Sequence, residues 1–281
     1  MRIGVIDFPP FLFAGIRQTV SGVLLSSFLI VFRHEKLPSL KELGRQAFAG
    51  LLMIGLGNGL VTWGEVYVSS GLAAIICSFM PVWVTLINLT INRSELPNGL
   101  IVVGVLTGLA GILLVFSEHL ADFAIANYQL GIIMILIASF GWAIGSILIK
   151  RSGHQSNPMM NAGLQMFFGG LWCFIFSSLF DDLRVIHWQA GTFYSLGYLI
   201  VFGSVAAFSM YAYVLNNLPI IIAALYSYVN PLVAVILGWL ILDERLNLKI
   251  GFAIVITVLG IYLVNRGYQL KNRKVAEASG A

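Results

Sequence analysis

Charge is what this chain has least of. Of its 281 residues only 10% are Asp, Glu, Lys or Arg, while 59% are hydrophobic and the mean hydropathy is +0.92. A soluble domain carries about a quarter charged residues, and a surface this poor in charge does not stay in water. A soluble enzyme, a nucleic-acid-binding protein and a disordered chain are excluded, despite a net charge of +4 and a pI near 9.1. Cysteine is nearly missing too. Cys77 and Cys173 each stand inside an apolar run, in neither a CxxC pair nor a metal-ligand spacing, so no metal and no cofactor are expected. Long polar loops are absent: no stretch between apolar runs exceeds about 15 residues, which leaves no room for a soluble domain. Met1 to Pro10 contains charges and lacks the apolar core of a cleavable secretory signal.

What is present is apolar sequence in spans long enough to cross a bilayer, which takes about 20 residues each. They predict an all-α polytopic membrane protein with nine transmembrane helices, at 10–32, 47–67, 71–92, 97–116, 128–149, 158–180, 192–215, 219–242 and 247–265. Turn formers and charges fill the gaps, and residues 266–281 read as a polar, disordered tail.

The two halves repeat. Leu72-Ala73-Ala74-Ile75 through Pro81 matches Ile222-Ala223-Ala224-Leu225 through Pro231. Glu95 matches Glu244, and Gly111-Ile112-Leu113-Leu114-Val115 matches Gly260-Ile261-Tyr262-Leu263-Val264. Internal repeats mark secondary transporters. The repeats divide the chain into residues 1–117 and 127–265, followed by the tail at 266–281. The second half has five predicted helices and the first has four, so the partner of helix 128–149 is expected upstream of Met1. An odd number of helices per repeat inverts one copy relative to the other. The pattern is a five-plus-five, ten-helix inverted repeat lacking its first helix, with substrate at the midplane between helices 47–67, 71–92, 128–149 and 219–242. On the side reached after helix 10–32 lie Arg33, Lys36, Lys41, Arg45, Arg93, Lys150, Arg151, Arg266, Lys271, Arg273 and Lys274. The other side has Arg2, Arg184, Arg245 and Lys249. The positive-inside rule then puts the C-terminus in the cytoplasm.

Several blocks carry a family resemblance. Asp7-Phe8-Pro9-Pro10 with Ala14-Gly15-Ile16-Arg17 resembles the start of the second helix of EamA-type members of the drug/metabolite transporter superfamily. Gly57-Asn58-Gly59-Leu60-Val61-Thr62-Trp63-Gly64-Glu65 and Ser70-Gly71-Leu72-Ala73-Ala74 are similar to the third and fourth. Trp142-Ala143-Ile144-Gly145-Ser146 resembles the sixth. Gly203-Ser204, Tyr211-Ala212-Tyr213 and Tyr226-Ser227-Tyr228-Val229-Asn230-Pro231 resemble the eighth and ninth. The likeness spans nearly the whole chain. It implies a ten-helix metabolite exporter of a bacterial inner membrane, in a family whose first helix carries a Trp-Gly-Ser block.

Only Arg17 and Glu65 are ionisable and well inside predicted helices. An ion at a helix centre costs roughly 2.5–3.5 kcal/mol on insertion scales, so such residues are usually functional or paired. Two readings stand side by side: the pair faces a polar cavity, or each side chain snorkels to the headgroups. In the first, Glu65 binds a substrate amine or carries a coupling proton. Pro81 and Pro231 occupy equivalent places in the two halves and are expected to kink their helices, releasing the carbonyls of Cys77 and Ser227. Paired interruptions point to a binding site. Tyr226 and Asn230 share a helix face, and Asn58, Trp142, Ser146, Tyr211 and Tyr228 add polar tips on apolar bodies. Such walls suit amphipathic metabolites; plain packing is the alternative for each. Gly55/Gly59, Gly104/Gly108 and Gly141/Gly145 are GxxxG pairs for close helix approach, with Gly104/Gly108 a candidate homodimer face. Asp243-Glu244-Arg245 and Glu95 fall at loops and are expected to be solvated.

The expected function is a secondary transporter exporting amino-acid-like solutes or drugs by alternating access. Proton coupling and facilitated diffusion both remain open. A membrane-embedded lipid-modifying enzyme needs clustered acid/base or metal groups. His34, His119, His154 and His187 are instead scattered in or beside loops, with no HExxH, GxSxG or phosphate-binding loop. A truncated, non-transporting membrane protein is the other alternative.

Overall fold

The computed structural model describes residues 8–90, 96–115, 126–151, 157–186, 189–233 and 248–278. Glu95, the Asp243-Glu244-Arg245 stretch, Met1–Asp7 and His119, His154 and His187 lie outside the described residues. Ten helical segments account for the nine predicted spans: α1 (Pro10–Arg33), α2 (Leu40–Tyr67), α3 (Ser70–Cys77), α4 (Met80–Thr90), α5 (Gly99–Val115), α6 (Ala126–Arg151), α7 (Pro158–Phe180), α8 (Ala190–Asn217), α9 (Ile220–Val233) and α10 (Leu248–Ala278). Among the described residues seven helical stretches are long and apolar enough to cross a membrane, and α5 and α9 are shorter apolar helices.

Local chemistry sets the helix ends. Prolines open both α1 and α7 at the first helical position, where the missing N–H has no intrahelical partner to lose. The Asn157 side chain caps α7 by accepting from the Met159 N–H at 2.9 Å. Pro9 cannot do this for α1, and Asp181, just past the end of α7, supplies the acceptor instead, taking the Leu12 N–H at 2.9 Å. Burial pushes the Asp181 carboxyl upward from its ordinary pKa, while the backbone N–H groups of Leu12 and Phe11 act in the opposite sense. Helix α2 begins at Leu40, a full turn and more before the expected residue 47. Ser39-Leu40-Lys41-Glu42 is a capping sequence, and the Ser39 hydroxyl accepts the Glu42 N–H at 3.4 Å. At the other end of the chain, α10 runs 12 residues beyond Arg266, to Ala278, where a disordered tail was expected. Gly267 packs on Ile101, its carbonyl accepts from Asn98 Nδ2 at 2.9 Å, and Lys271 Nζ donates to the Leu96 carbonyl at 3.0 Å.

Two of the long helices widen at equivalent places. α2 is π-helical over Leu51–Asn58, and 148 residues later α8 is π-helical over Leu199–Ala206. A π-helical turn shifts the backbone hydrogen-bond ladder by one residue. Neighbouring side chains contact these stretches through their carbonyls. Cys173 of α7 lies with its Sγ 3.9 and 4.0 Å from the Ile54 and Gly55 carbonyls. Ser21 of α1 shares its hydroxyl proton between the Arg17 carbonyl, at 2.7 Å, and the Ile200 carbonyl, at 3.3 Å.

The chain forms two compact units, and they cut across the two sequence halves. One comprises residues 1–73 and 124–220, the other residues 74–123 and 221–281. Each unit pairs corresponding helices of both halves. In the first, α1 packs along α7. A Cβ on Gly22 would lie 2.3 Å from the Phe167 nitrogen and 2.6 Å from the Gly163 carbonyl oxygen; one on Gly170 would meet the Thr19 side chain. In the second unit α5 packs along α10, with Gly104 and Gly108 against Gly260, Val264 and Tyr228. That contact corrects the expectation of a homodimer through Gly104/Gly108: the small-residue face is filled from within the same unit.

In the second unit the expected proline devices take a specific form. α3 ends in a tight turn, with Ser78 N–H donating to the Ile75 carbonyl at 2.9 Å and Phe79 N–H to Ile76 at 3.1 Å. Pro81 then falls in the first turn of a new helix, α4, where proline is tolerated. The equivalent break in α9 is at Leu225, whose N–H donates to the Ile222 carbonyl at 3.1 Å. Pro231 leaves the Ser227 carbonyl without its helical donor, and Ser78 takes it at 2.9 Å while also reaching the Ala74 carbonyl at 2.8 Å. Ser78 and Ser227 are 149 residues apart, so the two breaks meet at matching positions of the repeat.

Two outcomes follow for stability. Gly22→Ala places a methyl group against backbone that cannot swing aside, and lowers the thermal midpoint of the purified protein by the equivalent of about 1–3 kcal/mol. Ser78→Ala leaves the Ser227 carbonyl short of a donor and destabilises by about 0.6–2 kcal/mol. Both are read from thermal unfolding in detergent, with an unchanged midpoint counting against the packing or the hydrogen bond concerned.

Candidate functional site

The first unit gathers six of the residues expected to matter. Arg17 of α1 and Glu65 of α2 are 2% and 8% exposed, so both are enclosed by protein and neither snorkels along a lipid-facing surface. Arg17 Nη2 donates to Asn58 Oδ1 at 3.3 Å, and the Glu65 carboxylate acts electrostatically on the same guanidinium. Asn58 ends the π-helical stretch, and Glu65 lies seven residues further on, two turns along the same helix face. The Arg17 Nε–H is buried and makes no hydrogen bond with the described residues. Phe11, Trp63, Phe176 and Phe180 close this end with ring-to-ring distances of 5.4–6.2 Å from Phe11 to the other three. Phe11 fits because Gly59 has no side chain: a Cβ there would lie 2.8 Å from its ring.

Nearer the opposite end of the same unit, Ser146 Oγ and Tyr211 Oη are 2.7 Å apart, joining α6 to α8. The Trp142 ring stands edge-on to Tyr211 and Phe208, with centroids at 6.0 and 5.9 Å. Gly57 makes room for that indole, since a Cβ would approach it to 2.9 Å. Tyr211 and Phe208 help to line a cavity of about 60 Å³ between the start of α2, the end of α6, the start of α7 and the end of α8.

The polar side of this cavity was not anticipated. Its buried part is Glu42, Gln46 and Gln165, respectively 6%, 1% and 3% exposed, and Asn161 and Asn216 also line it. Glu42 accepts from Gln46 Nε2 at 2.8 Å and from Arg45 Nη1 at 3.2 Å, and Gln46 Oε1 accepts from Gln165 Nε2 at 2.6 Å. Lys150 also lines the cavity, but its ammonium donates to the carbonyls of Leu215, Asn216 and Leu218 at 3.0, 3.2 and 3.0 Å, closing the end of α8. The signal that could have exposed Glu42 is the Ser39–Glu42 capping pair, which moves the helix start ahead of Glu42 and Gln46. Among the described residues no three His, Cys, Asp or Glu side chains gather as a metal site.

The second unit holds the other expected residues and divides them. Tyr226 and Asn230 are exposed on one face of α9. Tyr228 points the other way, fully buried, and its hydroxyl donates to the Val105 carbonyl at 2.7 Å. Tyr228 is therefore a packing residue in the slot left by Gly108, a correction to its expected place in a solute site.

The comparisons agree with this architecture. Residues 1–117 and 129–266 each match the model of the EamA-like transporter family. The chain is 35% identical over 94% of its length, and 86% of the other's, to the "uncharacterized inner membrane transporter YedA" of Escherichia coli K12. It is 28% identical to the "uncharacterized transporter YoaV" of Bacillus subtilis, over 98% of this chain and 93% of that one. A crystal structure of a protein 16% identical in sequence shares the fold, with a TM-score of 0.77 over 94% of this chain and 91% of that one. Apolar helices in two matched repeats, with ionisable side chains enclosed between them, make this chain a multi-pass membrane protein that belongs to the EamA-like transporter family.

Proposed function

We propose that the protein exports small amphipathic metabolites, amino-acid-like solutes or drugs, across a bacterial inner membrane by alternating access, with its C-terminus in the cytoplasm. The observation that carries this reading is the Arg17–Asn58–Glu65 cluster, a buried charged group inside apolar helices. An isolated charge there costs several kcal/mol, and ionisable residues at membrane depth mark substrate or ion pathways. The aromatic wall of Trp142, Tyr211 and Phe208 beside an open cavity offers apolar area with a few hydrogen-bonding groups, which is what an amphipathic solute needs. Tyr226 and Asn230, on the exposed face of α9, are solute-contacting groups of the second unit on this reading. Pro81 and Pro231 stand beside the paired helix breaks, where α3 gives way to α4 and where α9 is interrupted at Leu225. The membrane location follows the name of the E. coli relative, and the orientation follows the basic loops.

Within this reading Glu65 carries either the solute amine or a proton, balanced by Arg17. Uptake into everted vesicles, screened with amino acids and amphipathic amines, tests it. Glu65→Gln lowers the flux of a transported solute at least tenfold while the protein inserts normally. Tyr228→Phe leaves flux within twofold of wild type and lowers only thermal stability, by about 1 kcal/mol. Unchanged flux in Glu65→Gln removes Glu65 from the pathway, and absence of flux for every solute overturns the transporter reading.

A further inference from the structure

The cavity in the first unit has a chemical polarity that follows from a single charge. An ionised carboxylate has no donor, so Glu42 obliges Gln46 to turn its NH2 toward it, as observed at 2.8 Å. Gln46 then has only its carbonyl to offer Gln165, whose NH2 donates to it at 2.6 Å. The two amides are thereby aligned head to tail, and the acceptor left at the end of the row is the Gln165 carbonyl. Glu42 itself uses one hydrogen bond on each oxygen, to Gln46 and to Arg45, and a carboxylate has about four acceptor positions.

The cations do not reverse this polarity. Lys150 has three N–H donors, and all three are taken by carbonyls at the end of α8, where the negative end of the helix dipole lies against its charge. Arg45 is on the solvent side, 37% exposed, and bound to Glu42. A solute carboxylate would meet the Glu42 charge, with the Lys150 donors already committed to carbonyls and Arg45 outside the lining. A solute ammonium would find acceptors on Glu42 and Gln165, with Met53, Phe208 and Leu215 as apolar walls for its body.

We propose that Glu42, Gln46 and Gln165 form a docking station for a protonated amine carried on a small apolar or aromatic body. Its role as the point where solute is loaded rests on the transport reading above; the binding itself does not. The station uses a different carboxylate from Glu65, near the other end of α2.

The test is equilibrium binding to the purified full-length chain in nanodiscs, with two probes sharing one skeleton: tyramine, which has the ammonium, and 3-(4-hydroxyphenyl)propionate, which has a carboxylate instead. Tyramine binds at least tenfold more tightly. Glu42→Gln weakens tyramine binding at least tenfold and leaves the propionate unchanged within twofold. Where Glu42→Gln does not yield folded protein, the Gln165 pair decides: Gln165→Leu weakens tyramine severalfold, and Gln165→Glu restores or strengthens it. Equal affinity for both probes, preference for the propionate, binding of neither, or tyramine binding insensitive to the folded variants overturns the proposal. Selective tyramine binding without flux in vesicles leaves the station standing and removes only the transport reading. Flux of other solutes without tyramine binding does the opposite.

Discussion

A backbone carbonyl in hydrocarbon has no water to turn to, and most of this architecture answers that constraint. A straight α-helix satisfies its own backbone, but a helix that widens or breaks releases carbonyls that cost several kcal/mol each if unmet. The chain widens at Leu51–Asn58 and Leu199–Ala206 and breaks beside Ser78 and Leu225. At three of these places a small polar side chain from another helix approaches the carbonyls: Cys173 at Ile54 and Gly55, Ser21 at Ile200, and Ser78 at Ser227. Each of these donors is itself buried, so it has no alternative partner in solvent. At these three places irregular backbone has a specific hydroxyl or thiol standing opposite it.

Reaching that far requires close helices, and the glycines provide the distance. Gly22 against Gly163 and Phe167 lets α1 and α7 touch backbone to backbone, and Gly104 and Gly108 do the same for α5 against α10. Between hydrocarbon-like surfaces there is no hydrophobic force to press helices together, so packing and interhelical hydrogen bonds hold them. Gly50 and Gly169 likewise bring α2 against α7, where Cys173 faces the Ile54 and Gly55 carbonyls.

Much of the fold was legible because the hydrocarbon thickness writes itself into run length. The nine apolar spans, the repeat and the choice of Arg17, Asn58, Glu65, Trp142, Ser146 and Tyr211, which the structure gathers in one unit, all came from residues that are conspicuous against an apolar background. What escaped lay where two local signals compete. Lys41, Glu42 and Arg45 read as a polar loop by charge, while Ser39 and Glu42 read as a helix cap by spacing; the cap prevails and carries Glu42 and Gln46 into the interior. The π-helical stretches leave no mark, because Leu51–Asn58 has the same apolar composition as an ordinary helix. Tyr226 and Tyr228 are equally polar in sequence, and only Gly108, more than 100 residues away, decides that Tyr228 is the one buried. The end of α10 reads as a tail because it is charged, yet Asn98 and the Leu96 carbonyl hold it through Gly267 and Lys271.

Helix α2 carries the consequence of these arrangements for transport. Glu42 and Glu65 are 23 residues apart on it, about 34 Å at 1.5 Å per residue, close to the thickness of a hydrocarbon core. The π-helical stretch lies between them, so the two carboxylates belong to helical segments joined by the least regular part of the helix. The first segment is tied to α7 through the Gln46–Gln165 bond, the second to α1 through Asn58–Arg17. On the transport reading a solute passes from one carboxylate toward the other, and the element joining the two is the one whose hydrogen-bond ladder is already shifted. A regular helix would couple the two ends rigidly; the π-helical turn, with the Cys173 thiol facing its carbonyls, gives the two segments separate attachments within one continuous span.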